Sequence, residues 1–342
     1  MKNTPFGLDI GTSSMKAVWL SEEKDGFLLN AVATAPTPLK GMLSESPLDQ
    51  HDMASAIQRL VQEAKITTKL VNVAVSENQV YTRVLEMPVL SDKELSSAIY
   101  WEAEQHIPLP LPSITLDWSV LGRPKEGESG KMQVLLVGAP TVIVAKYQRL
   151  IEMAGLTISS METEILSVIR ATVLGENFPN CLIIHIGAVG TILAIVKSGI
   201  VIFTYFIPIG GIAITRAIAS DFAFSASQAE EYKRTYGYSS KTLEGKIGKA
   251  TEPILMSILT EVKKAISFYN EKYLNEAPIT QVILSGGSAK LPGIDLFFVK
   301  NCGIETVMSI PWKILKNQTI PKEILDNAPE YTVSVGLAMK KT

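Results

Sequence analysis

Three short glycine-containing turns hold the residues with the most chemical potential in this chain. The first is Asp9-Ile10-Gly11-Thr12-Ser13-Ser14, set between two apolar, β-prone runs and followed by Lys16. A tight turn of this kind gathers consecutive backbone N–H groups and three hydroxyls at one point, which is a concavity suited to phosphate oxygens. Asp9, at the end of the first run, is placed to hold Mg²⁺ through water, because Mg²⁺ takes oxygen ligands and keeps much of its hydration. Read alone, the stretch is first a plain β-hairpin with a polar turn, and Lys16 equally a solvated surface lysine or a phosphate contact. The second turn is Gly187-Ala188-Val189-Gly190, preceded by His185, and the third contains Gly286-Gly287. Two opposed turns around one cleft would clamp a triphosphate from both sides. A glycine pair lets backbone approach a flat base without side-chain obstruction.

The elements that must carry these turns are legible from periodicity. Residues 6–10, 15–20 and 26–35 read as three successive strands. A Pro- and Ser-containing loop over 36–47 follows, then a helix over 49–65 and a strand over 70–75. The stretch 79–87 is strand-like, and Ser91 with Glu94 forms a capping box for a helix running to about residue 106. The alternating prolines 108, 110 and 112 favour an extended connector. Strands are expected at 114–121 and 132–138 around a charged turn at 125–131. A helix at 139–154, a strand at 156–161 and a linking helix at 162–174 complete the first half. Three more strands at 181–187, 190–196 and 200–206 restart the opening rhythm. Residues 183–193 align with residues 7–17, the first glycine of each turn in register, which marks an internal duplication. Helices follow at 212–222, 227–236 (capped by Ser225 or Ser227) and 252–273. A strand at 281–284 and a terminal helix at 331–339 close the chain, and 315–324 has no clear assignment.

Composition narrows the possibilities. The 342 residues are 46% hydrophobic and 19% charged, a globular balance with room for two or three domains. A net charge of −2 gives no electrostatic case for nucleic acid. Cys181 and Cys302 are too few and too far apart for a disulfide framework, and His51, His106 and His185 show no metal-ligand spacing. No apolar h-region precedes Asp9, so no secretory signal is expected. Residues 181–215 contain one charged residue, Lys197, and mimic a membrane span. Their Gly and Pro content, and the Lys197-Ser198-Gly199 turn, favour buried strands instead.

Taken together, these motifs resemble those of the actin-like ATPases. Asp9 to Ser14 is similar to the phosphate 1 motif, Ile186 to Gly190 to phosphate 2, and Ile283-Leu284-Ser285-Gly286-Gly287-Ser288 to the adenosine motif. Ala229-Glu230-Glu231-Tyr232-Lys233 resembles the family's Ala-Glu-x-x-Lys helix. Within the superfamily, the chain resembles the PilM family of type IV pilus assembly over essentially its whole length. The stretches 86–95, 100–110 and 117–122 resemble that family's inserted subdomain, and 207–211, 230–237 and 334–338 also match.

The resemblance implies an α/β, actin-like (ribonuclease H-like) duplicated fold with a two-domain nucleotide cleft and an inserted 1C (SHS2-like) subdomain. Residues 1–77, 161–178 and the C-terminal helix 329–342 would form domain 1 (1A), 78–160 the 1C insertion, and 179–328 domain 2 (2A, with 2B at about 225–278). Bound ATP or ADP with Mg²⁺ is implied. Gly11, Thr12, Ser13, Ser14, Lys16, Gly187, Val189, Gly190, Glu230, Lys233, Gly286 and Gly287 would contact nucleotide, and Asp9 the metal. The implied partner is the N-terminal cytoplasmic peptide of PilN within the pilus inner-membrane complex. The protein would be cytoplasmic, recruited to the inner face of the cytoplasmic membrane, with self-association left open.

One departure qualifies this. The family's phosphate 2 carboxylate is replaced by His185, a poor Mg²⁺ ligand, and only Thr191 offers a hydroxyl nearby. His185 is either a strand-end histidine satisfied by backbone or a nucleotide contact. Either way, binding without rapid hydrolysis is expected, at most a slow ATPase. Glu230 and Lys233 are otherwise a surface ion pair, and Trp101 is weighed as core above peptide anchor. A sugar-kinase-type phosphotransferase lacks a recognisable catalytic Asp motif. An FtsA-like filament protein is the other alternative, though the chain stops at Met339-Lys340-Lys341-Thr342 with no amphipathic membrane helix expected.

Overall fold

Alternating apolar residues make each half of the chain open as an antiparallel meander. In the computed structural model, which describes residues 4–124, 130–175, 178–239, 245–316 and 320–341, β1 (Phe6–Ile10), β2 (Ser14–Glu23) and β3 (Gly26–Pro36) pair in sequence. α1 (Pro47–Glu63) buries Met53, Ala56, Ile57, Leu60 and Val61 at helical spacing. β4 (Leu70–Val75) then pairs parallel to β1. An insertion follows: β5 (Tyr81–Met87), α2 (Asp92–His106), β6 (Ile114–Gly122) and β7 (Met132–Pro140). Its three strands order β5-β7-β6 over a core that includes Leu85, Leu95, Ile99 and Leu136. α3 (Thr141–Met153) returns to the first core, and β8 (Thr157–Thr163) completes a sheet ordered β3-β2-β1-β4-β8.

After α4 (Glu164–Thr172), the second half repeats the scheme. β9 (Cys181–Ile186), β10 (Thr191–Lys197) and β11 (Ile200–Ile207) form the meander, and α5 (Gly211–Phe222), α6 (Ala226–Tyr236) and α7 (Lys246–Lys272) cover it. β12 (Gln281–Ser285), α8 (Ile294–Cys302) and β13 (Glu305–Met308) finish a sheet ordered β11-β10-β9-β12-β13, strand for strand the order of the first. α9 (Lys322–Asp326) and α10 (Thr332–Ala338) end the described chain. The duplication extends to single positions: Asp9 faces Lys16 across β1 and β2, and His185 faces Ile192 across β9 and β10.

A separate core joins the halves. Ile165 and Val168 of α4 and Val333 and Leu337 of α10 pack with Ile183, Ile192 and Ile283 of the second sheet. α10 approaches its neighbours main chain to main chain. A Cβ at Gly336 would lie 1.9 Å from the Ser167 carbonyl oxygen, and one at Gly7 would lie 2.1 Å from that of Ser334. The apolar stretch 181–215 is β9, β10, β11 and the start of α5, and among the described residues no helix is long and apolar enough to cross a membrane.

Several local expectations differ from what is seen. The strand at 156–161 continues to Thr163, so the next helix starts at Glu164. α7 starts six residues before Glu252, running through Pro253, because Ile247, Ala250 and Thr251 are buried and their packing outweighs the proline signal. Leu111–Ser113 is a 3-10 turn rather than extended chain. Trp101 is 71% exposed, since α2 buries only Leu95, Ile99 and Ala103. α8 and β13 have no counterpart in the sequence reading. The charged turn expected at 125–131 lies largely outside the described residues.

The main-chain approach at α10 is testable. Gly336→Ala has no flexible neighbour to displace, so overpacking should cost about 3 kcal/mol. A clear fall in the urea unfolding midpoint is expected. An unchanged midpoint would show that α10 is free to move.

Candidate functional site

All thirteen residues expected to contact nucleotide or metal line one cavity of about 790 Å³ between the two sheets. The first half supplies Asp9, Gly11, Thr12, Ser13, Ser14 and Lys16. The second supplies Gly187, Val189, Gly190, Glu230, Lys233, Gly286 and Gly287, and His185 lies among them.

The turn between β1 and β2 is held from behind. Thr37 donates its hydroxyl to the Gly11 carbonyl at 2.6 Å and its amide to the Ser13 carbonyl at 3.2 Å. A trans peptide directs its N–H opposite its carbonyl, so the Thr12 amide points away from Thr37. The Thr12 and Ser13 side chains are exposed on the cavity wall. Lys16 is not the solvated lysine that the sequence allows. It is 6% exposed, and its Nζ donates to Ser14 Oγ at 2.7 Å. Burial pushes the Asp9 carboxyl up, and Lys16 partly offsets this.

The second turn is tied up internally. The Gly187 amide donates to the Gly190 carbonyl at 2.8 Å, and the Gly187 and Ala188 carbonyls accept from the amides of Gly211 and Ile212 at the start of α5. Gly190 is pressed against Phe206, whose ring would lie 2.3 Å from a Cβ. Thr191 does not supply the expected hydroxyl: it is buried and donates to the Ile209 carbonyl at 2.7 Å. His185 is buried, and its partner is a side chain rather than backbone, with Nδ1 3.1 Å from Ser285 Oγ. Burial, and then the nearby Lys16 charge, lower its pKa to about 4, so it is neutral at physiological pH.

Glu230 and Lys233 are no surface pair either. Lys233 Nζ donates to Glu230 Oε2 at 2.6 Å, to Thr215 Oγ1 at 3.0 Å and to the Gly211 carbonyl at 3.2 Å. Arg234 donates to the other Glu230 oxygen at 2.8 Å. Burial alone would raise Glu230, but hydrogen bonds from Lys233, Thr215 and Arg234 hold it down at about 2. A rigid polar ledge from α5 and α6 therefore meets the cavity. In the turn after β12, Gly286 takes φ +88°, and a Cβ there would lie 2.5 Å from the Ile186 carbonyl oxygen.

Sequence reasoning missed Glu164. It lines the cavity at the first position of α4, where it accepts from the Glu77 amide at 3.1 Å and from Ser76 Oγ at 3.5 Å. Burial and then the Asp9 charge push its pKa up to about 8. Placing it inside a helix that started at 162 hid it; the Thr163-Glu164 pair at a strand end was the available signal. Asp9 and Glu164 give the cavity two oxygen donors of the class Mg²⁺ takes, and their desolvated carboxyls would gain from a cation. Two carboxyls fit Mg²⁺, which needs few protein ligands because it keeps much of its hydration; among the described residues no three His, Cys, Asp or Glu form a metal group.

Comparison with known proteins matches this architecture. The family model described as type IV pilus assembly protein PilM covers residues 7–342. A solved PilM-PilN type IV pilus biogenesis complex contains a chain similar to this one with a TM-score of 0.85, 27% identity and 98% of each chain covered. The cell division protein FtsA of Streptococcus pneumoniae is 26% identical over 89% of this chain and 75% of its own length. MreB 5 of Spiroplasma citri, solved bound to AMPPNP, shares the fold with a TM-score of 0.53 at 13% identity over 98% and 95% of the two chains. The fold is that of the actin-like ATPases.

The raised Glu164 pKa has a sign that can be checked. A carboxyl at about 8 in the fold and 4.5 as its ordinary value stabilises fully below 4.5 and loses that contribution as pH rises through 8. Glu164→Gln should therefore melt like wild type near pH 5 and several degrees higher near pH 8.5, without nucleotide. His185 works in the opposite sense, stabilising above 6.5 and losing this towards 4, and is common to both proteins. Parallel melting curves at both pH values would exclude a buried, protonated Glu164.

Proposed function

This chain belongs to the PilM family of type IV pilus assembly proteins, and we propose that it works there as an ATP-binding scaffold with slow or absent hydrolysis. The observation that carries the reading is the convergence of both glycine turns, Gly286-Gly287 and the Glu230–Lys233 ledge on one cavity. The nucleotide-bound MreB 5 of the same fold supports it. Thr12, Ser13 and Lys16 would hold the phosphates, with the ledge and the Gly286-Gly287 backbone towards ribose and base. Mg²⁺ supplies charge neutralisation at the phosphates when bound, and Asp9, with Glu164 beside it, would hold it.

Slow turnover follows from the second half of the cleft. A neutral histidine stands at residue 185, and its pair across the strands is the apolar Ile192. At a pKa of about 4 the histidine is a weak base for an attacking water and a poor Mg²⁺ ligand, and Ile192 has no polar side-chain atom to offer, so transition-state stabilisation is weak while ground-state binding persists. ADP would occupy the same contacts. The partner we assign is a PilN-like N-terminal cytoplasmic peptide, supported by the PilM-PilN complex whose chain matches nearly the whole of this one. Capture of such a peptide would recruit the protein to the inner face of the cytoplasmic membrane within the inner-membrane assembly complex.

Calorimetric titration with ATP and Mg²⁺ should give saturable binding, and Asp9→Asn should weaken it about tenfold in Mg²⁺ while changing it little in EDTA. Phosphate release by the wild type should stay near the blank, and His185→Asp should raise it measurably. Wild-type turnover at an ordinary enzyme rate of about 10 s⁻¹ would overturn the scaffold reading. A labelled PilN N-terminal peptide should bind in an anisotropy titration; no binding to folded protein would remove the partner assignment.

A further inference from the structure

Behind Glu164, away from the cavity, lies a buried polar group that the proposed binding does not use. β4 ends at Val75, and Glu77–Gln79 forms a 3-10 turn before β5 begins the inserted sheet. The Glu77 side chain is 6% exposed. The side chain of Thr82, at the start of β5, the backbone of Ile165, in α4, and the side chain of Thr163, at the end of β8, face its carboxyl. Glu77 Oε2, Thr82 Oγ1 and Thr163 Oγ1 are each buried without a hydrogen-bond partner. Orphaned buried polar atoms cost free energy and are uncommon, and three in mutual reach are a set of bonds waiting to form. One acceptor here faces two donors.

The same residue touches the cavity from its other side. The Glu77 amide is given to Glu164 Oε2 at 3.1 Å, and Glu164 lines the cavity. Thr82 in turn reaches the second half of the molecule, because its carbonyl accepts from Thr204 Oγ1 of β11 at 3.1 Å. Farther along β5, Glu86 pairs with Lys272 of α7 at 2.8 Å. The inserted sheet is thus attached to the second half at the strand that Glu77 faces.

We propose that Glu77 is a latch between the nucleotide cleft and the inserted sheet, closing on Thr82 and Thr163 when an occupant draws Glu164 into the cleft. In the present arrangement Glu164 holds the Glu77 amide and the latch is open. When Glu164 turns to the occupant, residues 76–77 are released and the Glu77 carboxylate accepts from both hydroxyls. β5 is then fixed to β8, and the inserted sheet changes its setting against β11. Nucleotide occupancy is read on the sheet that carries α2 and the exposed Trp101. By linkage, a partner that stabilises the closed setting tightens nucleotide binding by the same factor.

The inference rests on nucleotide occupying the cleft, so the test measures binding and response separately. Hydrogen exchange of residues 81–87 is followed with and without saturating ATP and Mg²⁺, with calorimetry on the same samples. The wild type should exchange about fivefold more slowly at β5 when bound. The Thr82→Val, Thr163→Val double variant should bind nucleotide within about threefold of wild type, a small change on the affinity scale, and lose the β5 response. Thr163→Ser, which keeps a hydroxyl, should retain the response. Binding with no β5 protection in the wild type, or full protection in the double valine variant, overturns the latch alone. No binding in the wild type overturns the latch and the nucleotide reading together.

Discussion

The seven-residue helix α10 sets the geometry on which the cleft depends. Gly7 and Gly336 allow it to lie against β1 and α4 with main chains in contact. Helical partners run out at this buried end, and side chains supplement them: Asn72 donates at 2.9 Å to the Leu337 carbonyl, which also accepts from the Lys340 amide at 3.2 Å, and Arg170 donates to the Gly336 carbonyl at 2.8 Å. Arg170 also forks onto Glu162 at 2.6 and 2.8 Å. The run into the helix reaches the other wall, where the Pro329 carbonyl accepts from the Gly286 amide and Glu330 pairs with Lys290 on the cavity rim. One short element therefore ties the strand bearing Asp9 to the turn that bears Gly286.

Duplication of the fold has not produced a symmetric site. In the first half the strand pair at the cleft floor is Asp9 opposite Lys16; in the second it is His185 opposite Ile192. The floor keeps its charge on one side only. Lys16 is a buried cation beside the first glycine turn, an arrangement that favours an anion in the ground state. On the second floor the strand pair itself carries no charged side chain, and uniform binding does not accelerate a chemical step.

Much of this was legible in the residues because backbone geometry carries it. Glycine turns after alternating apolar runs and the repeated three-strand rhythm follow from period and φ preference, which a single sequence displays. Features set by tertiary packing were hidden. Lys16 looks solvated until β2 is buried on both faces. Thr191 looks available until the Ile209 carbonyl is found behind it. Glu164 looks like an ordinary helix residue because two acidic residues flank Thr163, and only the extension of β8 to Thr163 puts the second one at the cleft. α7 defeated the proline signal for the same reason, through burial of residues ahead of Pro253.

The position of the inserted sheet bears on what the cleft is for. The sheet has its own core and joins the first half through β5 and β7, yet it also contacts the second half at Thr204 and Lys272. An element bonded to both sides of a cleft cannot stay indifferent to their relative motion, because rotation of one half must break those bonds or carry the strand along. In the proposed reading the cleft floor binds, and β5, bonded to both halves, is the element placed to report occupancy.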